Sequence, residues 1–265
     1  MSNTATVLAF DFGASSGRAI RAVYDGQNLT YEEIHRFENV PIEKDGHLCW
    51  DVETLLKEIH TAIQKAGTFD SLGFDTWGVD FGLLDADGHL LANPVHYRDA
   101  RTNGKPEQAA ARMPAEELYA HTGNQIMAIN TLFQLLALQE QEPELLQKAE
   151  QILFMPDLFA ALLGAEPVCE RSIASTSQML DPRTGQWSRE VLTAYGLKEN
   201  HFAPLVASGT VTGTLTTGAK IIAVAGHDTQ CASAAMPCAE EDAEHTAFLS
   251  CGTWSLLGTE LDTPI

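Results

Sequence analysis

The segment from Val7 to Phe37 constrains this chain more than any other, because it packs strand-length runs between very short turns. Val7–Phe12 is an apolar run, Arg18–Tyr24 alternates apolar and polar residues, and Leu29–Phe37 is a third strand-forming segment. The small residues Gly13–Gly17 fill the first junction, and Asp25-Gly26 is a turn signal at the second. Connections this short join antiparallel neighbours and cannot cross a sheet, so the three segments are expected to form a meander at a sheet edge.

The segments beyond the meander fix the fold class. Val52–Ala66 sets Val52, Leu55, Leu56, Ile59 and Ile63 at helical spacing. Ser71–Thr76 reads as a strand returning to the sheet, and Val79–Leu84 as a strand entering the turn at Asp85–Gly88. From Pro106 to Leu163 the pattern is mostly helical, with Leu132, Leu135, Leu136 and Leu138 along one run. Thr184–Pro204 reads as a surface helix and loop, and Ile221–Ala225 as a compact apolar strand. Thr246–Leu249 and Ser255–Thr259 read as two strands around Gly252. Strands and helices in this order give an α/β architecture. The string VLAFDFGASSGRAI at 7–20 is echoed by TAFLSCGTWSLLG at 246–258, which suggests a second domain starting near Ala243. The expected division is 1–242 and 243–265. On that reading the second domain has barely begun at Ile265, and a truncated sequence is expected.

Charge and cysteine usage exclude several classes. Lys and Arg number 16 against 36 Asp and Glu, a formal net charge of -20, which argues against a surface built to grip nucleic acid or anionic lipid. A negative net charge does not exclude ATP, which an acidic protein can still bind locally through backbone N–H groups and a Mg²⁺ ion. Met1–Leu8 lacks a basic leader region, and no apolar stretch approaches the roughly 20 residues that span a bilayer. The five cysteines are scattered with no C-x-x-C pair, and the nine histidines form no H-E-x-x-H, so neither a disulfide framework nor zinc is supported. A soluble cytoplasmic protein with reduced thiols is expected.

Four short strings carry chemistry. Gly13-Ala14-Ser15-Ser16-Gly17 has no lysine at Walker A spacing. Its small residues suit a hairpin turn whose N–H groups meet phosphate oxygens, with Ser15 and Ser16 adding hydroxyls and Arg18 a charge. An ordinary Gly/Ser hairpin fits the same string. Asp11 ends an apolar strand just before that turn, which suits either Mg²⁺ held through water or a cap on the turn's amides. Gly226-His227-Asp228-Thr229 follows the strand at 221–225. Asp228 is there a candidate base that orients an alcohol and takes its proton, or simply a helix N-cap. Asp75-Thr76-Trp77-Gly78-Val79-Asp80 places an indole beside glycine and carboxylates, which suits a sugar or a core tryptophan at a strand end. Tyr97-Arg98-Asp99 with Arg101 fits a substrate rim and a surface ion-pair set equally.

Taken in order, FDFGASSGR at 10–18, FDTWGVDFGLLD at 74–85, YRDARTNG at 97–104, AGHDTQ at 225–230 and SCGTWSLLG at 250–258 resemble the FGGY carbohydrate kinases. The resemblance covers essentially the whole chain. It implies a ribonuclease H-like, actin-type ATPase fold of two domains, of which this chain is the N-terminal one. It also implies ATP and Mg²⁺ as cofactors. It puts the first phosphate loop at Ala14, Ser15, Ser16, Gly17 and Arg18, the second at Thr253, and the metal-associated acid at Asp11. It puts the catalytic base at Asp228, with His227 and Thr229 at the sugar and Gly78, beside Trp77 and Asp80, in the sugar loop. The implied reaction moves the γ-phosphoryl group of MgATP to the C1 hydroxyl of a 6-deoxyketose. DTWGVDF and ASSGR point to L-rhamnulose, while Ser175–Asp181 and AGHDTQ are as similar to the members that act on L-fuculose. A non-catalytic sugar or ATP sensor of the same fold is the reading from another class, and the intact Asp11 and Asp228 speak against it. The chain alone is expected to bind nucleotide poorly and to turn over slowly or not at all. No signal for oligomeric state is present.

Overall fold

The computed structural model describes residues 4–239, 242, 245–251, 255–261 and 263. Strands β1 (Ala5–Phe12), β2 (Ser16–Tyr24) and β3 (Leu29–Glu38) form the expected antiparallel meander, with Phe12 opposite Gly17 at the first turn. Helix α1 (Val52–Ala66) then leads to β4 (Ser71–Thr76), which lies parallel to β1 on its other side. The helix begins where the Asp51 side chain accepts from Thr54 N–H, and it buries Val52, Leu55, Ile59, Ala62 and Ala66.

The strand β5 (Phe81–Leu84) starts two residues later than its sequence suggests, because Val79 takes a left-handed φ of 69°. It leaves the main sheet and pairs with β6 (Gln151–Phe154), the short apolar stretch inside the helical region. Between them runs α2 (Thr131–Gln141), which buries Leu132, Phe133, Leu135 and Leu138. Helix α3 (Met155–Leu162) packs on the sheet: Phe159 stacks on Phe12 at 4.8 Å, and Phe10 stacks on Phe74 at the same distance. Aromatic pairs at such separations add about 0.5–1.5 kcal/mol each beyond their area.

The helix Arg189–Tyr195 corrects the surface reading of that region, since Val191, Leu192 and Tyr195 are buried against the core. The sheet is completed by β7 (Thr210–Thr214), which the sequence pattern did not signal, and β8 (Lys220–Ala223). The order across its six strands is β7-β8-β4-β1-β2-β3, with β8, β4 and β1 parallel. Helix α4 (Asp228–Ala234) follows β8, and β9 (Ala247–Cys251) pairs antiparallel with β10 (Ser255–Thr259) in a separate two-stranded sheet. Ala243, where a second domain was expected to start, lies outside the described residues. No helix among the described residues is long and apolar enough to cross a membrane.

Candidate functional site

Three parallel strands deliver their carboxyl ends to one edge of the sheet, where ligands of open α/β sheets bind. Asp11 and Asp75 are register partners on β1 and β4, so both side chains leave the same face. Leu8, Phe10 and Phe12 are buried on the opposite face, whereas Ala9 and Asp11 are not. From β8 the chain passes through Gly226, whose carbonyl accepts from Thr76 N–H at 2.9 Å, and His227 bridges to Thr76. Asp228 therefore opens α4 beside the end of β4.

The carboxylates outnumber the cations here. Arg18 reaches back across the hairpin and binds Asp11 through Nη2 at 2.6 Å and Nε at 2.8 Å. The Arg18 charge expected at the phosphate loop is thus engaged by Asp11. Asp75 is pushed up to about 8, first by burial and then by the Asp11 and Asp228 carboxylates. Three acids sharing one exposed arginine form a site short of positive charge, which is the donor chemistry a divalent cation completes. Among the described residues, three ligand-type side chains converge within 4.8 Å at Asp85, Asp87 and His89, an exposed turn, and not at Asp11, Asp75 and Asp228. A cation at this edge would need ligands beyond these three carboxylates, such as water or phosphate oxygens.

The turn before Arg18 is braced from behind. Gly13 N–H donates to Ser16 O at 2.9 Å, Asn39 N–H to Ser15 O at 3.0 Å, and Asn39 Nδ2 to Gly13 O at 2.9 Å. The amides of Ala14 and Ser15 donate to no acceptor among the described residues. Gly17 is dictated by packing, since a Cβ there would lie 2.3 Å from the Phe37 ring. Thr253 lies outside the described residues.

The loop 77–80 is over-determined. Asp80 is buried and accepts from Trp50 Nε1 at 2.6 Å, Gln134 Nε2 at 2.8 Å, Trp77 Nε1 at 3.0 Å and Tyr97 N–H at 3.1 Å. Burial pushes its pKa up to about 6, against the pull of those four donors. Trp77 is buried as well, with its ring 4.0 Å from that of Trp50. The side chains of Trp77 and Asp80 are thus turned inward and brace the loop from below. Val79 carries a conformation that costs a β-branched residue about 1–3 kcal/mol. It is held by Thr131 Oγ1 donating to its carbonyl at 2.6 Å and by its own N–H donating to Thr176 Oγ1 at 3.0 Å.

Gly78, between Trp77 and Val79, is closely packed. A Cβ there would stand 3.1 Å from Thr176 Cγ2 and 3.3 Å from His227 Nε2. Burial lowers the pKa of His227, with the Asp228 carboxylate pulling the other way, and its Nε2 lies 3.4 Å from Asp228 Oδ1. His227 Nδ1 is buried and has no partner among the described residues. Asp228 Oδ1 accepts from the N–H and, at 3.1 Å, the hydroxyl of Thr229, so Thr229 positions the carboxylate and its own proton is engaged. The cluster at 97–101 divides. Asp99 caps Leu48 N–H and Arg101 N–H at 2.8 Å each, while Tyr97 keeps its ring half-buried beneath the Arg98 guanidinium.

Two residues that carry this geometry were missed in the sequence. Asp75 reads only as a carboxylate near the indole, because the β1–β4 register alone puts it beside Asp11. Glu170, 1% exposed, accepts from Gly226 N–H at 3.1 Å and so anchors the segment that carries Asp228. No local pattern at Glu170 signals a contact 56 residues away.

Residues 6–234 match the family described as the FGGY family of carbohydrate kinases, N-terminal domain. A curated relative from Bacteroides thetaiotaomicron named rhamnulokinase is 42% identical over 97% of this chain and 55% of its own length. Rhamnulokinases from Pectobacterium atrosepticum and Lactiplantibacillus plantarum are 40% and 39% identical, again over 97% of the chain and over 53% and 54% of their own lengths. The chain thus spans about half the length of the curated relatives it matches. Among solved structures, a carbohydrate kinase from Novosphingobium aromaticivorans superposes with a TM-score of 0.83 at 21% identity, covering 100% of this chain and 58% of that one. A gluconate kinase from Lactobacillus acidophilus gives 0.73 at 17% identity over 84% of this chain and 48% of that one. These likenesses show the fold, the actin-type ATPase architecture.

Proposed function

Because the chain belongs to the FGGY family of carbohydrate kinases, we propose that it is the sugar-binding half of an ATP-dependent kinase that phosphorylates L-rhamnulose at its C1 hydroxyl. The observation that carries this reading is the meeting of Gly78, His227 and Asp228 beside the carboxylate-rich sheet edge. The 39–42% identity to three rhamnulokinases supports L-rhamnulose as the substrate, with L-fuculose the second 6-deoxyketose of the same class.

In this reading the ketose lies against Gly78 with its C1 hydroxyl on Asp228. The carboxylate takes the hydroxyl proton as the C1 oxygen forms a bond to the γ-phosphorus, and the bond from that phosphorus to the β–γ bridging oxygen breaks, releasing ADP. His227, its basicity lowered by burial, meets sugar hydroxyls as a neutral imidazole. Thr229 holds the Asp228 carboxylate in place. The uncommitted amides of Ala14 and Ser15, with the hydroxyls of Ser15 and Ser16, receive phosphate oxygens, and Gly17 lets the turn close on Phe37. Asp11 and Asp75 would hold Mg²⁺, which when bound neutralises charge on the transferring phosphoryl group. On ATP binding, Arg18 exchanges Asp11 for phosphate. Thr253 belongs to a second phosphate loop, in a domain that starts at 243 after a sugar domain ending at 242, and the protein works in the cytoplasm.

Calorimetric titration of the chain with L-rhamnulose, L-fuculose, L-ribulose and D-xylulose tests the sugar assignment. L-rhamnulose is expected to bind tightest. Tighter binding of L-fuculose moves the substrate and keeps the site, and binding of none of the four refutes the reading.

A further inference from the structure

A cavity of about 290 Å³ lies between the short helix Lys105–Ala109, the turn that follows it and the second half of α2. Its volume is at the lower end of the range for small-molecule sites. None of its lining residues belongs to the sheet edge or to the 77–80 loop. Ala109 and Leu136 form the apolar part of the wall, and the rest is polar or charged: Lys105, Gln108, Arg112, Gln139 and Glu140.

Donors outnumber acceptors in that wall. Lys105 is 5% exposed, and its Nζ donates to Gln108 Oε1 at 3.1 Å and to Glu140 Oε2. An ammonium group carries three protons, so one is left over. Arg112 Nη1 donates to Tyr195 O at 3.4 Å, and its other N–H groups meet no acceptor among the described residues. Gln139 Nε2 donates once, to Gly196 O at 3.3 Å, and Gln108 Nε2 donates to nothing among the described residues. The carbonyls of Tyr195 and Gly196 are consecutive, so the end of the helix Arg189–Tyr195 holds both Arg112 and Gln139. The acceptors are Gln139 Oε1 and the Glu140 carboxylate, which is already engaged by Lys105. Two cations beside one carboxylate run against a chain with 16 Lys and Arg and 36 Asp and Glu.

We propose that this cavity is a binding site for a small organic oxyanion, a carboxylate or a phosphate ester. Arg112 and the remaining Lys105 proton take its charge, and the Gln108 and Gln139 amides complete its hydrogen bonds. Such a ligand supplies the acceptors that the wall lacks, and hydrogen bonds to ionised groups are about twice as strong as neutral ones.

The test is calorimetric titration of the chain with succinate, glycerol 3-phosphate and inorganic phosphate. At least one is expected to bind, and the tighter of succinate and glycerol 3-phosphate assigns the class. Two variants of exposed wall residues follow. Arg112→Gln removes a cation, and Gln108→Glu keeps an acceptor for Lys105 while adding a second carboxylate. Each should weaken that binding about ten-fold or more, with the thermal midpoint unchanged. Arg18→Gln, at the proposed phosphate loop, should leave it as it was. No binding of any of the three at millimolar concentration overturns the inference. So does an affinity that both wall variants leave intact, or one that is lost in Arg18→Gln instead.

Discussion

Replacing Glu170 with alanine should unsettle the site from a distance. One of its oxygens, Oε2, accepts from Ser172 N–H at 3.0 Å, Ser172 Oγ at 2.6 Å, Ile173 N–H at 3.2 Å and Gly226 N–H at 3.1 Å. The other accepts from Ser208 Oγ at 2.6 Å. Truncation leaves the amides of Ile173 and Gly226 buried without an acceptor, at about 1–3 kcal/mol each. Deleting a buried charge returns part of its desolvation cost, so a net loss of about 3 kcal/mol is expected. For a chain of this size that lowers the thermal midpoint by about 6–12 °C. Glutamine preserves most of the arrangement: its carbonyl takes the four donors and its amide donates to Ser208 Oγ, at a cost of about 1 kcal/mol. Urea unfolding of the three chains reads these differences as shifts in midpoint at constant slope. L-Rhamnulose titration of the same chains should show affinity falling more for alanine than for glutamine, because Gly226 precedes His227 and Asp228. An alanine variant as stable as the original, or a glutamine variant as damaged as alanine, would remove Glu170 from this anchoring role.

Two further outcomes rest on the same geometry. Gly17→Ala sets a Cβ 2.3 Å from the Phe37 ring and should cost about 2 kcal/mol or more in urea, with partial recovery when Phe37 is also changed to leucine. Asp75, pushed up to about 8 from 3.8, keeps in the folded chain a proton that the unfolded chain releases. The stability this contributes is fully present below about pH 4 and is lost as pH rises through about 8, so the urea midpoint should fall across that window and flatten in Asp75→Asn.

The meander was legible because its turns are too short to allow another connection, and α1 because its apolar residues recur at helical spacing over 15 positions. The strand at Thr210–Thr214 was not. Its sequence is mostly threonine, and its place at the sheet edge comes from pairing with Ile221, Ile222 and Ala223. At the site, the positions of His227 and Asp228 followed from a strand end and a turn. Trp77 and Asp80 show the limit of that reasoning. Composition suited a sugar or a core tryptophan, and what turns them into the core is contact with Trp50, Gln134 and Tyr97, 17 or more residues away. Thr176 and Glu170 matter through contacts 97 and 56 residues distant, which no local string records.

The proposed role of Asp228, taking the proton during phosphoryl transfer, can be measured by single-turnover transfer from radiolabelled MgATP to L-rhamnulose. The chain is kept in excess over ATP so that slow turnover is still seen. Labelled sugar phosphate is expected from the original chain, and a loss of at least about 100-fold in Asp228→Asn, with L-rhamnulose binding retained. Transfer by Asp228→Asn at the original rate would show that another group takes the proton.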